Sequence, residues 1–530
     1  MRSKLKFIFL PFLLLLAILY YLTDPFNQHH VGKQLVIGRS QDAISLDPAI
    51  TTDSDSFKVT VNLFENLVKY APGNSDIMPS LAESWKVSED GLTWTFKIRK
   101  GVQFHNGDPL TADSIVFNFE RWMKQDNPYH TGQFSYWLYN FEGFPGIVKS
   151  VTALSDYSVE IVLKDSYAPF LSVLATPAFG ISSPNAIMTY NETYYQHPVG
   201  TGPFKLKEWL PGELVALDRN EQYWGTKSKV DRVVFKVIPS ADDRLNALES
   251  GEIHMADHLT TDDLIQLKNK EGIKLYRRPF YNVGYLALNN QKEPLNHPEV
   301  RKAIQHLIDK DKLVSEVFYG LERKADSFLP PLLWGHHESL VHYEYSPEKA
   351  ASLLKASGVH LPIKLKLWVM DTPRPYMSKP IEVAEFIKKS LEVSDIEVDV
   401  SVIKWETYIQ SIKSGNHQMA LIGWNGDTLD PDNFLYTFLS SENTTPEMAS
   451  NYAFYKNDEV DFLLKQAREI TDKDFRKSLY RELQEIVQED APSIPLIHTM
   501  PAIAARSEVK GYLPNWAGEE VLSSVDIETP

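Results

Sequence analysis

The sequence has 530 residues and no cysteine, which is the most informative of its absences. Without thiols the chain has no disulfide bond, thiolate metal site, cysteine nucleophile or lipid-modified N-terminal cysteine. Basic residues are outnumbered, since 54 Lys and Arg against 70 Asp and Glu give a formal net charge of −16. So acidic a chain is a poor electrostatic partner for phosphate backbones, and we expect no binding to nucleic acid.

Common sequence signatures of catalysis are also missing. There is no Gly-x-x-x-x-Gly-Lys-Ser/Thr loop, no Gly-x-Ser-x-Gly turn, and no Gly-x-Gly-x-x-Gly after a predicted strand. His337 and His342 resemble a zinc-binding helix motif, but the second histidine comes one position too late, which favours a solvated loop without a metal. Carboxylates are plentiful, so a glycosidase-type acid/base pair stays open, although no pair stands out.

The composition that remains is that of a large globular protein. Apolar residues make up 43% of the chain, aromatic residues 12% and charged residues 23%. The length corresponds to about three or four typical domains. Alternating apolar residues predict a strand over 92–99, a helix follows over 112–123, and the apolar run 419–422 indicates a strand buried on both faces. Such interleaving from Lys33 onward predicts a mixed α/β fold.

The N-terminus has the pattern of an export signal. Arg2, Lys4 and Lys6 precede an uncharged run over 7–23, which is longer than a typical signal core and shorter than a typical spanning helix. No small-x-small cleavage site follows Leu22. We therefore expect residues 1–32 to be an uncleaved signal anchor, with a cleaved signal peptide as the alternative. Either interpretation places the rest of the chain outside the cytoplasm.

Five blocks of sequence between about residue 34 and the C-terminus carry a family resemblance. They are LAESW at 81–85 with DGLTWTF at 90–96, PVGTGPF at 198–204 with YWG at 223–225, GYLALN at 284–289, PEVRKAI at 298–304, and GWNGD at 423–427 followed by DPDNF at 430–434. In this order they resemble the large extracytoplasmic solute-binding proteins of peptide ABC importers, the family 5 group, and especially its dipeptide-binding branch.

The resemblance implies a two-lobed clamp of the periplasmic-binding-protein type (type II, the large cluster C form) with an extra inserted domain, closing about a hinge. It predicts a discontinuous lobe I over 33–70, 190–285 and 495–530, an inserted domain II over 71–189, and a lobe III over 286–494. The implied role is to capture dipeptides or short peptides, as a monomer without a cofactor, and to deliver them to an ABC permease whose ATPases are separate chains. The lipobox cysteine of Gram-positive relatives is absent, so tethering is expected to rest on the N-terminal segment.

Two residues of opposite charge are the candidate anchors for a free dipeptide, which carries an ammonium and a carboxylate. Asp427 follows the predicted strand 419–422, and clefts form at such strand ends in α/β sheets. The resemblance implies that Asp427 binds the ammonium. It also implies that Arg374, whose planar guanidinium matches a carboxylate, binds the other end. A turn aspartate and a surface arginine remain the alternatives.

Three aromatic residues and one threonine complete the predicted site. Tyr376, Trp405 and Trp424 match family positions that line side-chain pockets, where broad rings accept varied groups, and core packing is the alternative. Thr52, beside Thr51, matches the first cleft loop of the family. Relatives also use haem, nickel complexes, oligosaccharides or antimicrobial peptides as ligands. Another ligand on the same fold therefore stays open, as does an anchored hydrolase.

Overall fold

The computed structural model describes residues 32–528, which form a mixed α/β structure around three principal sheets. The predicted α/β class is confirmed. The predicted signal segment lies outside the described residues except for its last position. Among the helices within 32–528, none is both long enough and apolar enough to span a lipid bilayer.

A seven-stranded sheet gathers segments from both ends of the chain. Its central strand, Gln34–Arg39, pairs in parallel with Arg232–Val237 and buries Leu35 and Ile37. In spatial order the strands are Ile273–Arg277, Ala502–Arg506, Met255–Ala256, Gln34–Arg39, Arg232–Val237, Leu214–Arg219 and Phe204–Leu210. A short hairpin of Val509–Lys510 and Asp526–Ile527 lies near the C-terminus.

A four-stranded antiparallel sheet is formed by the segment that follows the first strand of the chain. Its strands in order are Ala82–Val87, Thr93–Ile98, Ser158–Leu163 and Val148–Ser155. Trp94, Phe96 and Ile98 are buried, as their alternation predicts. The helix Ala112–Met123 packs against this sheet and has the predicted bounds. A hairpin of Val68–Tyr70 and Ile77–Pro79 precedes the sheet.

A six-stranded sheet positions the candidate site. Its order is Arg323–Lys324, Ser493–His498, Asn282–Leu288, Met419–Asn425, Ile363–Met370 and Ile396–Ile403. The last three are mutually parallel, so their carboxyl ends share one edge of the sheet. Asn282–Leu288 is antiparallel to Met419–Asn425 and therefore begins at that same edge. Residues 419–422 are fully buried, as predicted from their apolar run.

Helices connect and cover the sheets. Those with α geometry are Ser54–Thr60, Ala112–Met123, Ser135–Asn140, Phe170–Leu174, Pro184–Tyr190, Ala241–Ser250, Thr261–Leu267, Pro298–Leu307, Lys310–Val317, Pro347–Ser357, Pro380–Glu392, Trp405–Lys413, Asp432–Leu439, Asp458–Glu469 and Lys473–Asp490. Single 3-10 turns occupy Pro177–Phe179, Asn191–Gln196, Ser441–Thr444 and Leu522–Ser524. Side-chain caps on Ser240 and Ser346 begin two of the helices, and Gly251 and Gly358 end them in the left-handed conformation.

The predicted domain boundaries stay predictions, although the strands suggest a refinement. Asn282–Leu288 and Ser493–His498 each cross a predicted boundary, and both pair within the six-stranded sheet. We therefore propose that lobe III includes both strands, which places its boundaries near residues 280 and 499.

Candidate functional site

One edge of the six-stranded sheet brings together five of the six predicted site residues, among them Trp424 near the end of the strand Met419–Asn425. Each of the three parallel strands ends in a segment that carries a candidate: Arg374 follows Ile363–Met370, Trp405 follows Ile396–Ile403, and Asp427 follows Met419–Asn425. Tyr376 lies in the same segment as Arg374. A cation and an anion therefore lie at the carboxyl ends of neighbouring parallel strands, where α/β proteins commonly bind ligands.

Arg374 is held in a tight turn and stacked on an aromatic ring. Its backbone N–H donates to the carbonyl of Met377 over 3.0 Å, and the N–H of Met377 donates back over 2.8 Å. Its guanidinium carbon lies 4.1 Å from the centre of the Trp405 ring. Within residues 32–528 no carboxylate pairs with Arg374, and its buried Nε has no hydrogen-bond partner. This guanidinium is thus positioned and still free to bind an anion.

Tyr376 forms the floor beneath Arg374. Its side chain is buried, and burial raises the pKa of its hydroxyl while the adjacent Arg374 acts in the opposite sense. The ring packs against Gly423 of the strand Met419–Asn425, where an added Cβ would come within 2.3 Å of Tyr376 Cδ2. Glycine at 423 is therefore required for this close approach, which joins the Arg374 turn to the strand that leads to Asp427.

Asp427 is a partly buried carboxylate with few compensating contacts. The hydroxyl of Tyr136 donates to its Oδ1 over 3.1 Å, and its own backbone N–H donates to Asn433 Oδ1 over 2.9 Å. Burial raises the pKa of Asp427 to about 6, and these two neighbours only partly offset that rise. No cation pairs with this carboxylate within the described part of the chain. An ammonium group would supply the missing charge.

The remaining predicted residues have different surroundings. Trp424 is half-buried, and its indole N–H donates to Asn433 Oδ1 over 3.0 Å. Trp405 begins the helix Trp405–Lys413, where its backbone N–H donates to Asp371 Oδ1 over 3.0 Å. Thr52 is exposed in the segment before the helix Ser54–Thr60, and its role stays a prediction. Thr51 is buried and donates its hydroxyl to the carbonyl of Asp47, so its function is structural.

Sequence reasoning missed three neighbours of Asp427. Tyr136 comes from the short helix Ser135–Asn140, 291 positions away along the chain, and no sequence signal pointed to it. Asn433 belongs to the DPDNF block, where its part in holding Asp427 and Trp424 was not predicted. Tyr281 precedes Asn282–Leu288, and its carbonyl accepts a hydrogen bond from Gly426 N–H.

His337 and His342, which resemble a zinc-binding motif in the sequence, lie in a loop of the structure. Residues 332–342 form a loop, as predicted, but His337 is buried and its Nε2 lies 2.9 Å from Glu485 Oε1, so the expectation of a solvated residue was wrong there. Among residues 32–528 no group of three or more His, Asp or Glu side chains is arranged to hold a metal ion.

Comparison with known proteins identifies the group to which this architecture belongs. The model of the bacterial extracellular solute-binding proteins, family 5 (middle region), matches residues 76–446. The chain belongs to this family, and the predicted two-lobed binding-protein clamp is confirmed.

Individual relatives extend over nearly the whole chain. The dipeptide-binding protein of Escherichia coli (strain K12) is 33% identical over 510 residues, covering 94% of this chain and 95% of that protein. Heme-binding protein A of Haemophilus influenzae is 31% identical over 498 residues, covering 92% and 90% respectively. The crystal structure of the dipeptide-binding protein from Pseudoalteromonas sp. SM9913 in complex with Met-Leu has a TM-score of 0.78 at 29% identity, covering 94% of this chain and all of that one.

Proposed function

We propose that this protein captures dipeptides or similar short peptides outside the cytoplasm and delivers them to an ABC permease powered by separate ATPases. It acts as a monomer, tethered by its N-terminal segment, and it releases its ligand chemically unchanged. Relatives named for dipeptide binding support the choice of ligand. The observation that carries the proposal is a pair of unneutralised opposite charges, Asp427 and Arg374, at one sheet edge.

In the proposed complex the α-ammonium binds Asp427 and the terminal carboxylate binds Arg374. The guanidinium fork matches a carboxylate in two parallel hydrogen bonds, and its stacking on Trp405 fixes the plane of the fork in advance. Tyr376, Trp405 and Trp424 surround the peptide with ring surfaces that tolerate different side chains. Thr52, on the exposed segment before Ser54–Thr60, contributes a hydroxyl from the opposite wall.

The proposal is tested by calorimetric titration with a simple dipeptide, its N-acetylated form and its C-terminal amide. Tight binding of the free dipeptide, and losses of tens-fold or more for both blocked forms, are expected because removing one partner of a buried charge pair costs about 2–5 kcal/mol. Two variants assign the ends. Arg374→Gln should weaken binding of the free dipeptide and leave binding of the C-terminal amide little changed. Asp427→Asn should also weaken binding of the free dipeptide, but leave binding of the N-acetylated form little changed.

Failure of all three compounds to bind would point to a different ligand. If none of the three compounds binds, the dipeptide assignment is wrong, and the ligand is a longer peptide or another molecule on the same fold. Haem, for which the Haemophilus relative is named, is the first compound to titrate in that case.

A further inference from the structure

A second carboxylate, Glu519, lies beside Asp427 on a segment that the C-terminal region brings to the site. The ring of Trp516 lies 4.4 Å from that of Tyr281 and 5.5 Å from that of Tyr70, centre to centre. On the other side, Glu520 is anchored by Arg278, whose Nε lies 2.7 Å from Glu520 Oε1. Glu519 lies between these two fixed points.

The carboxylate of Glu519 has no partner of its own. Within residues 32–528 it forms no hydrogen bond and no ion pair, and burial together with the nearby Asp427 raises its pKa to about 8. Lys58 acts on the pKa of Glu519 in the opposite sense, but its Nζ is already paired, 2.7 Å from Asp257 Oδ2 and 3.4 Å from Asp55 Oδ1. Glu520, the other neighbouring carboxylate, is already paired with Arg278. At neutral pH the Glu519 carboxyl is therefore mostly protonated in the empty protein, and a cation placed beside it would favour its ionised form.

An unused hydroxyl lies at the same place. Tyr281 is 2% exposed, and its Oη has no hydrogen-bond partner. The hydroxyl end of its ring packs on Gly426, where an added Cβ would lie 2.4 Å from Tyr281 Cζ, and Asp427 is the next residue. A buried hydroxyl without a partner is rare, because it costs free energy unless a ligand or water satisfies it. Its position next to Asp427 makes this hydroxyl available to a polar group of a bound ligand.

We infer that Glu519 is a specificity-determining residue, and that the protein prefers peptides whose first residue has a cationic side chain, such as lysine, ornithine or arginine. This inference rests on the proposed function. Asp427 and Glu519 interact electrostatically without a hydrogen bond between them, so a residue with an α-ammonium and a side-chain cation can contact both. The net charge of −16 for the chain also favours the approach of cations.

The inference is tested by measuring the affinity of the full chain for three peptides at pH 7.5. They are Lys-Ala, Ala-Lys and norleucyl-alanine, an analogue of Lys-Ala whose first side chain is uncharged. We expect Lys-Ala to bind at least tenfold more tightly than either of the others. Glu519→Gln should abolish this advantage by weakening Lys-Ala binding tenfold or more, while the affinity for norleucyl-alanine changes much less. Glu89→Gln removes an exposed carboxylate from a turn and serves as the matched control, with no change expected. Thermal unfolding of each variant checks that the fold is retained, and Glu519→Asp should keep part of the preference.

Three outcomes overturn the inference. Equal affinity for Lys-Ala and norleucyl-alanine in the unmodified chain excludes a selective second site. A preference that survives Glu519→Gln assigns the selection to another group. An equal loss for both peptides in Glu519→Gln places Glu519 on the α-ammonium, without selectivity. All three outcomes leave the proposed function intact, whereas a failure of every dipeptide to bind refutes that function and this inference with it.

Discussion

At the scale of single residues, Asp427 differs from a carboxylate that is fully paired inside the protein. Asp430 and Arg476 form a buried pair with an Nη2–Oδ1 distance of 2.6 Å, so both charges are satisfied inside the protein. The Asp427 carboxylate is stabilised by the Tyr136 hydroxyl and the Asn433 side chain, but no cation within residues 32–528 pairs with it, and burial raises its pKa to about 6. Because no cation of the protein pairs with Asp427, a cationic group of a ligand can form that favourable interaction instead.

This raised pKa predicts pH-dependent binding of a dipeptide with uncharged side chains. The carboxyl of Asp427 is mostly neutral at pH 5 and mostly ionised at pH 7, and an ammonium binds the ionised form. Affinity should therefore fall as the pH drops below 6, approaching about tenfold per pH unit. The groups around Asp427 are the Tyr136 and Tyr281 hydroxyls, the Asn433 amide and Glu519. The two hydroxyls do not titrate in this range, and Glu519, with its pKa raised to about 8, stays mostly protonated between pH 5 and pH 7. Calorimetry from pH 5 to pH 8 measures the effect, and a constant affinity between pH 5 and pH 7 would remove Asp427 from the ammonium site.

The raised pKa of Asp427 also predicts how the variant Asp427→Asn changes the stability of the protein. A carboxyl whose pKa rises from 3.8 to about 6 on folding stabilises the protein at low pH, and this contribution is lost as the pH rises through 6. Asp427→Asn should therefore unfold at a higher temperature than the parent at pH 7 in the absence of ligand, although its affinity is lower.

At the scale of elements, the start of the helix Asp432–Leu439 positions the strand end that carries the site. Asn433, in the first turn of this helix, accepts hydrogen bonds from the Trp424 indole and from the Asp427 backbone. One amide oxygen thus fixes both an aromatic wall and the candidate ammonium anchor. The DPDNF block was part of the family resemblance, and this geometry gives a physical reason for an asparagine at position 433.

We predict that Asn433→Ala weakens dipeptide binding about tenfold or more and lowers the free energy of unfolding by about 1–3 kcal/mol, because two donors lose their acceptor. Asn443→Ala is the matched control, since the Asn443 amide donates to the carbonyl of Tyr436 over 2.9 Å near the end of the same helix. The control should lose stability and retain affinity. Equal affinities for the two variants would show that Asn433 only supports the fold.

At the scale of the whole molecule, two parts of the chain meet through a small polar and aromatic contact. The N–H of Ala168 donates to the carbonyl of Arg468 over 2.7 Å, and the Arg468 guanidinium carbon lies 5.2 Å from the centre of the Tyr167 ring. Glu142, from the same part of the chain as Tyr167, lies 3.2 Å from Arg468 Nη1. If the proposed division into domain II and lobe III holds, this contact would join two domains across the cleft and favour the closed state.

Replacing Tyr167 with leucine should therefore shorten the lifetime of the complex. Because the variant loses one cation–π contact, we expect its affinity for the dipeptide to be about 2- to 10-fold weaker, mainly through faster dissociation of the ligand. Tyr167→Phe retains the ring and is the control, with parental kinetics expected. Stopped-flow dissociation rates and small-angle scattering of the empty protein measure the change. A dissociation rate identical to that of the parent would mean that this contact does not contribute to closure.

Prediction from sequence succeeded where the signal is local. The helix Ala112–Met123 has the predicted bounds because its apolar residues recur with helical spacing. The apolar run 419–422 predicted the buried strand that leads to Asp427. The roles of Asp427, Arg374 and the aromatic residues come from the family resemblance and stay predictions.

The sequence by itself determined the α/β class, the family and the candidate charges, because apolar periodicity, helix caps and motif order are written along the chain. Only the tertiary structure decided which distant groups surround Asp427. Tyr136, Tyr281 and Glu519 come from three separate parts of the chain, and two of the principal sheets are themselves assembled from distant strands. The physical reason is that the electrostatic environment of a carboxylate depends on distance in space, which sequence separation does not specify.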